Sequence, residues 1–208
     1  MTGILIGERA PNFTSAAVLP DGTIQSNFEL HESIKGKYGL IFFYPLDFTF
    51  VCPSELIALG NRYDALVDLN VQIITVSTDS PHTHRAWRNT ELVDGGIGQV
   101  PFIMASDLEG EIVTSYGIRS IPNNSFYDSG VAMRATFITD RNLVIRSLSI
   151  NDEPIGRNID EHIRTVEALQ FFEENGEVCP AGWNKGKPGM HNTAEGVSKY
   201  LEDNYESL

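Results

Sequence analysis

In the stretch "FFYPLDFTFVCPSEL", from Phe42 to Leu56, Cys52 sits directly before a proline, where an apolar run hands over to a short loop. A thiol in that position is a candidate nucleophile. Pro53 is comfortable in the first turn of a helix, because the N–H it lacks would have no partner there. This places Cys52 at or beside a helix N-terminus, where free N–H groups and the positive end of the dipole favour an anion. The thiolate is the reactive form of cysteine, and a free thiol with a pKa of ~8.5 is only a few per cent ionised near neutrality. A nearby arginine would add a permanent charge to the same effect. The competing reading is a small buried hydrophobe at a crowded strand–helix junction. Thr49 offers a hydroxyl that both donates and accepts, and Pro45 opens the loop where it could shield the sulfur. Each taken alone is equally readable as turn chemistry.

The other chemistry-bearing residues are weaker. Cys179 is the second of only two cysteines, too few for a disulfide scaffold, so each is either inert or reactive. Asp79, His82 and His84 invite a metal, but a single H-x-H without a C-x-x-C reads as a solvated helix start. Gly95 to Gly98, "GGIG", is not followed by a phosphate-binding helix. No metal, nucleotide or prosthetic group is expected. A thiol–disulfide exchanger of the C-x-x-C kind is disfavoured because Glu55 occupies the second position.

Several elements must hold these residues in place. "GLIFFYP" (39–45) is a continuous apolar run suited to a strand covered on both faces. Leu56, Leu59, Tyr63 and Leu66 then recur at helical spacing and predict one helix from Pro53 to about Leu69. "VQIITVS" (71–77) is a strand, "HTHRAWRNTEL" a helix, "VPFIMASD" a strand and "LEGEIVTSYGI" a short helix. "MRATFITD" and "NLVIRSLSI", joined at Asp140-Arg141-Asn142, predict a hairpin. Asn158 with Glu161 resembles a capping box opening a long helix that ends near Gly176. The order predicts an α/β layered sheet with an antiparallel edge. After Gly176 the Gly/Pro-rich "EVCPAGWNKGKPGMHNTAEG" predicts a loop or arm, and "VSKYLEDNYESL" a last helix. The expected division is 1–176 and 177–208.

The chain has 208 residues, 41% of them hydrophobic, enough for a core that needs no disulfides. A net charge of -13 without any basic cluster argues against nucleic acid. "MTGILIGERAPNF" carries neither a basic leader nor an apolar core of signal length, and no stretch approaches the ~20 apolar residues of a membrane span. A cytoplasmic chain, with no membrane partner, is the expectation.

Pro45, Thr49 and Cys52 fit the P-x-x-x-T-x-x-C signature of peroxiredoxins, and "FTFVCPSEL" resembles the typical two-cysteine group, close to bacterial alkyl hydroperoxide reductase C-type proteins. The resemblance extends through "HRAWRN" around Trp87, "GGIG", "MRATFITD" around Arg134, "IGRNIDEHIRTVEALQF" around Arg157 and "GEVCPAGW" around Cys179. It implies a thioredoxin-like fold, a central mixed sheet flanked by helices, with a C-terminal arm. It implies that Cys52 is the peroxidatic cysteine, attacking a hydroperoxide to give a sulfenic acid. Thr49 and Arg134 would bind the peroxide oxygens, Pro45 would exclude water, Glu55 and Arg157 would orient Arg134, and Trp87 would support the site. Cys179 matches the resolving cysteine, which in this family bonds Cys52 of a second subunit. The family pattern also implies recycling by thioredoxin or a flavoprotein disulfide reductase, and a homodimer, with five dimers in a ring. A non-enzymatic, ring-shaped holdase chaperone is the alternative role. "GGIG" resembles the GGLG segment of easily overoxidised members, whereas Tyr200-Leu201 stands where those show Tyr-Phe. Intermediate sensitivity is therefore expected.

Overall fold

Unbroken apolar sequence builds the middle of the sheet. The computed structural model describes residues 5–122 and 125–207. The first four residues of the segment read for a leader, and Leu208 of the last expected helix, lie outside the described residues. Strands β3 (Tyr38–Phe43) and β4 (Val71–Ser77) run parallel and adjacent, pairing Phe42 with Thr75, and β5 (Ile103–Ser106) lies parallel on the far side of β4. Every residue of β3 is buried, as its two covered faces demand.

The antiparallel partners flank this centre. β6 (Arg134–Thr139) pairs with β3, and β7 (Ile145–Asn151) pairs with β6 as the expected hairpin and forms one edge. At the other edge a second hairpin, β1 (Thr14–Val18) and β2 (Ile24–Glu29), extends the sheet through β5. The order among the described residues is β2-β1-β5-β4-β3-β6-β7. The β1–β2 hairpin and the short helix α1 (Leu30–Ile34) behind it have no counterpart in the expected element order.

The period of two along each strand separates two faces. Ile41, Phe43, Ile74, Val76 and Phe137 join one apolar core with Ile34 of α1 and with Ile112 and Val113 of α5 (Glu111–Ser115). Phe42, Tyr44, Thr75, Ser77, Arg134 and Thr136 alternate with these and are also buried. Polar groups are thus concentrated on one face, and that face receives α2 (Cys52–Gly60) and α4 (Pro81–Asn89).

The single helix expected from Pro53 to Leu69 is instead two. α2 stops at Gly60 and α3 (Tyr63–Asp68) resumes after a break at Asn61 and Arg62, where Arg62 has φ -108° and ψ 7°. Gly60 and Asn61 are weak helix formers, and the backbone N–H of Asn61 bonds back to the carbonyls of Ile57 and Leu59. The apolar spacing survives the break, which is why periodicity alone reads through it.

Two compact units are present, residues 1–159 and 160–208. The second contains α6 (Ile159–Asn175, opening at its boundary residue), a loop with one bridge between Val178 and Met190, and α7 (Ala194–Asn204). α6 begins directly after Asn158 and ends at Gly176, which takes φ +70°. Thr193 caps α7 by accepting the Gly196 N–H at 3.0 Å, so the helix begins at Ala194, three residues before the expected Val197.

Phe43 tests the core. It lies 4.9 Å from the Tyr116 ring and 5.7 Å from that of Phe137. Phe43→Ala should lower the unfolding free energy by about 3–5 kcal/mol, read as a shift of the denaturant midpoint. A loss under about 1 kcal/mol would show that this cluster is not the centre of packing.

Candidate active site

Cys52 is the first residue of α2, with Val51 at the N-cap and Pro53 behind it, so the first-turn N–H groups surround the sulfur's end of the helix. The thiol is fully buried. It is enclosed, yet the Nη1–H of Arg134 donates to its Sγ at 3.2 Å.

Arg134 opens β6 with no exposed side-chain surface, and each nitrogen of its fork donates a hydrogen bond. Nη1 also donates to Glu55 Oε2 at 3.0 Å, Nε to the Glu153 carbonyl at 2.5 Å, and Nη2 to Glu153 Oε1 at 3.0 Å. Burial alone would pull this guanidinium down, but its hydrogen bond to Cys52 and the charges of Cys52 and Glu55 hold it above its ordinary range. The Arg134 backbone N–H donates to Tyr127 Oη at 2.7 Å. That phenol, raised to about 12 by burial, keeps its proton and donates it to the Asn151 carbonyl at 2.5 Å.

Glu55 stands one turn after Cys52 on the same helix and joins two arginines. Arg157 grips it with Nε to Oε1 and Nη2 to Oε2, both at 2.9 Å, while the Arg157 backbone N–H adds a third bond at 2.9 Å. Arg157 Nη1 reaches the Ala135 carbonyl at 2.8 Å, and its guanidinium lies 3.3 Å from the centroid of the Phe42 ring. Burial would raise Glu55, but the Arg157 bonds and charge, with Arg134 behind them, outweigh it and hold the carboxyl below its usual range. The ends of two strands and one helix turn thus form a chain of alternating charge that terminates on sulfur.

The loop before Cys52 is built to stay closed. Pro45 is buried, and the Thr49 hydroxyl donates to the Leu46 carbonyl at 2.9 Å, spending its proton on the turn and keeping its lone pairs. Phe48 takes φ +54°, a costly conformation for a bulky side chain, and packs 5.8 Å from Trp87. Trp87 is buried, stacks 6.1 Å from Tyr44 and donates its indole N–H to the Gly95 carbonyl at 2.8 Å. It therefore supports the loop from beneath. The "GGIG" segment is a tight turn here, since a Cβ on Gly96 would come within 1.9 Å of the Thr90 carbonyl oxygen.

His84 corrects the reading of a solvated helix start. His82 is exposed, but His84 is fully buried, with Nδ1 at 2.8 Å from Asp47 Oδ2. Tyr44 Oη donates to Asp47 Oδ1 at 2.7 Å, and the Asp47 N–H donates to Asp79 Oδ2 at 2.8 Å. The ligand atoms of Asp47, Asp79 and His84 lie within 4.8 Å of one another. Asp79 Oδ2 also accepts from Ser77 Oγ at 2.7 Å, so these donors are already spent on each other and on their neighbours. The cluster pins the loop to β4 and α4. Burial, then the charge of Asp47, push Asp79 up, and burial pushes Tyr44 well up, which keeps the phenol a donor.

Cys179 belongs to the 160–208 unit, where it is half-buried and its Sγ donates to the Ala168 carbonyl of α6 at 3.3 Å. Burial pushes this thiol up, and the Arg164 charge offsets part of that. Arg164 also donates to the Trp183 carbonyl at 3.0 Å, and Trp183 packs 4.9 Å from Phe171. Of the residues singled out in sequence, Cys52, Arg134, Glu55 and Arg157 converge directly. Pro45, Thr49 and Trp87 frame the loop above them. Glu153, Tyr127 and Asp47 are site residues the sequence reading missed.

Residues 6–148 match the AhpC/TSA family, and residues 168–203 match the C-terminal domain of 1-Cys peroxiredoxin. The chain is 47% identical to the alkyl hydroperoxide reductase C of Buchnera aphidicola subsp. Baizongia pistaciae (strain Bp), over 96% of this chain and 97% of that protein. It is 43% identical to peroxiredoxin-1 of Gallus gallus, over 93% and 96%. The reduced 2-Cys peroxiredoxin of Plasmodium vivax superposes with a TM-score of 0.89 at 40% identity, covering 96% of this chain and all of that one.

Glu55 is the member of the network whose loss is easiest to read. Glu55→Gln leaves the buried Arg157 without its carboxylate and takes from Arg134 one of its two, and should cost about 3–5 kcal/mol at pH 7. A carboxyl held below its unfolded value of 4.5 stabilises the fold above that value and loses the contribution as pH falls through its folded value. The gap between wild type and variant should therefore be full near neutrality and narrow below about pH 4.5. Denaturant titrations of both proteins from pH 7 to pH 3 would show this. A gap that stayed constant across the range would contradict the pairing.

Proposed function

The chain belongs to the AhpC/TSA family of peroxiredoxins, it is a thiol peroxidase whose substrate is a hydroperoxide, and we propose that Cys52 is the residue that attacks the peroxide. One observation carries the reading. A buried sulfur at a helix start accepts a hydrogen bond at 3.2 Å from an arginine that is itself anchored by two carboxylates. Nucleophile, charge and shielding loop are brought together in one place.

The Cys52 thiolate attacks the terminal oxygen of the hydroperoxide. The S–O bond forms as the O–O bond breaks, its electron pair leaves on the remaining oxygen, and that oxygen takes up a proton to depart as water or alcohol. Arg134 stabilises the charge that moves from sulfur to oxygen, and the Thr49 hydroxyl, one turn of chain away, binds a peroxide oxygen. Pro45 and the closed loop keep bulk water away. Glu55, Arg157 and Trp87 hold this geometry without touching substrate.

Cys179 then attacks the sulfenic sulfur, an S–S bond replaces the S–O bond, and water leaves. A disulfide needs Cα atoms within about 7 Å, so the α2 start must open and Cys179 must leave its Ala168 contact. We assign the bond to two different subunits of a homodimer, with five dimers in a ring, and its reduction to thioredoxin or a flavoprotein disulfide reductase. In functional terms residues 1–176 form the peroxidase domain and residues 177–208 the arm carrying the resolving thiol, in a cytoplasmic protein. No described helix is long and apolar enough to cross a membrane.

Cys52→Ser should abolish peroxide consumption, whereas Cys179→Ser should still consume one equivalent and then stop. One equivalent of hydrogen peroxide followed by a nonreducing gel should link the wild type covalently and leave the Cys179→Ser variant unlinked. Continued turnover by Cys52→Ser, or a linked species from Cys179→Ser, would overturn these roles.

A further inference from the structure

The charge chain at Cys52 does not end on Arg134. It ends on Glu153, whose Oε1 accepts from Arg134 Nη2 at 3.0 Å and whose carbonyl accepts from Nε at 2.5 Å. Of the groups in this chain, Glu153 alone reaches solvent. Its side chain is 28% exposed, against 0–2% for those of Arg134, Arg157 and Glu55, and Cys52 is wholly enclosed. Asp152, next to it and half-buried, carries a second negative charge and accepts from Ser125 Oγ at 2.6 Å. Glu153 is paired with the buried Arg134, so its charge partner lies inside the protein.

The signs of these charges matter for what can approach. Cys52 as thiolate, Glu55 and Glu153 are negative, and Arg134 and Arg157 are positive, so the reactive site carries one net negative charge with its solvent-reaching member a carboxylate. An uncharged hydroperoxide meets no Coulomb barrier there. An anionic one is repelled both by the outer carboxylate and by the nucleophile it must reach, and the guanidinium's outer nitrogen already holds a carboxylate.

We infer that Glu153 is a specificity-determining residue that selects uncharged hydroperoxides against anionic ones, by placing a fixed carboxylate on the outer nitrogen of Arg134. The inference rests on the reading of Cys52 as the attacking thiolate. Positioning of Arg134 through the backbone carbonyl of Glu153 is a separate matter, because side-chain substitution leaves that bond in place.

The test compares two matched substrates, a cumyl hydroperoxide bearing a ring carboxylate and its uncharged methyl ester, in stopped-flow oxidation of the reduced protein. The wild type should react with the ester faster than with the acid by on the order of threefold to tenfold at low ionic strength. Raising the salt to about 0.3 M should shrink that ratio, because solvent-reaching charges are screened. Glu153→Gln, which keeps the shape and an acceptor oxygen, should bring the ratio to within about twofold and remove most of its salt dependence. Glu153→Asp, which keeps the charge, should retain a ratio above that of the Gln variant. No ratio in the wild type, or an unchanged ratio in Glu153→Gln, would each overturn the inference. Consumption of either substrate by Cys52→Ser would instead remove the assignment of Cys52 on which it stands.

Discussion

A carboxylate clamped between two guanidinium groups is the constraint on which this site depends. Burying an ion without a partner costs several kcal/mol. The chain offsets that cost by linking the buried charges to one another. Arg157 takes both oxygens of Glu55, Glu55 shares one oxygen with Arg134, and Arg134 turns its remaining Nη1 donor to Cys52. Each charge is the neighbour of an opposite one. Removing any member takes a partner from the next, so the group behaves as a unit rather than as a sum of pairs.

The sheet supplies the positions. Alternation along β3 and β6 sends Phe43 and Phe137 into the apolar core and sends Phe42, Arg134 and Thr136 to the opposite face, where α2 presents Cys52 and Glu55 one turn apart. A shift of one residue in the pairing of β6 with β3 would exchange those faces. The loop is held by a second polar cluster, Asp47 with Tyr44, His84 and Asp79, and by Phe48 resting on Trp87 in a left-handed backbone conformation.

Much of this was legible in the sequence, and the exceptions have physical causes. β4 was readable to the residue and β3 to within two, because strands buried on both faces are written as continuous apolar runs. The β1–β2 hairpin was not, since Ile24–Glu29 buries only Phe28 fully and so carries little apolar pattern. The break at Asn61 was hidden because Leu66 regains the buried face after it. His84 was misread because an H-x-H motif says nothing about its partner. That partner, Asp47, lies far upstream in a loop whose spacing gives no signal. Glu153 was missed for a related reason: it follows β7 in "NDEP", which reads as ordinary turn chemistry, and only the fold brings it to Arg134.

The central claim is that the Arg134 guanidinium activates the buried Cys52 sulfur. The most direct measurement is the second-order rate constant for oxidation of Cys52 by hydrogen peroxide in reduced wild type and in Arg134→Gln and Arg134→Lys variants shown by near-UV circular dichroism to be folded. Loss of a donor aimed at developing charge lowers rates by on the order of 10²–10³. A fall of that size in Arg134→Gln, with partial recovery in Arg134→Lys, is the predicted result. A folded Arg134→Gln protein oxidised at a rate within about threefold of wild type would contradict the account.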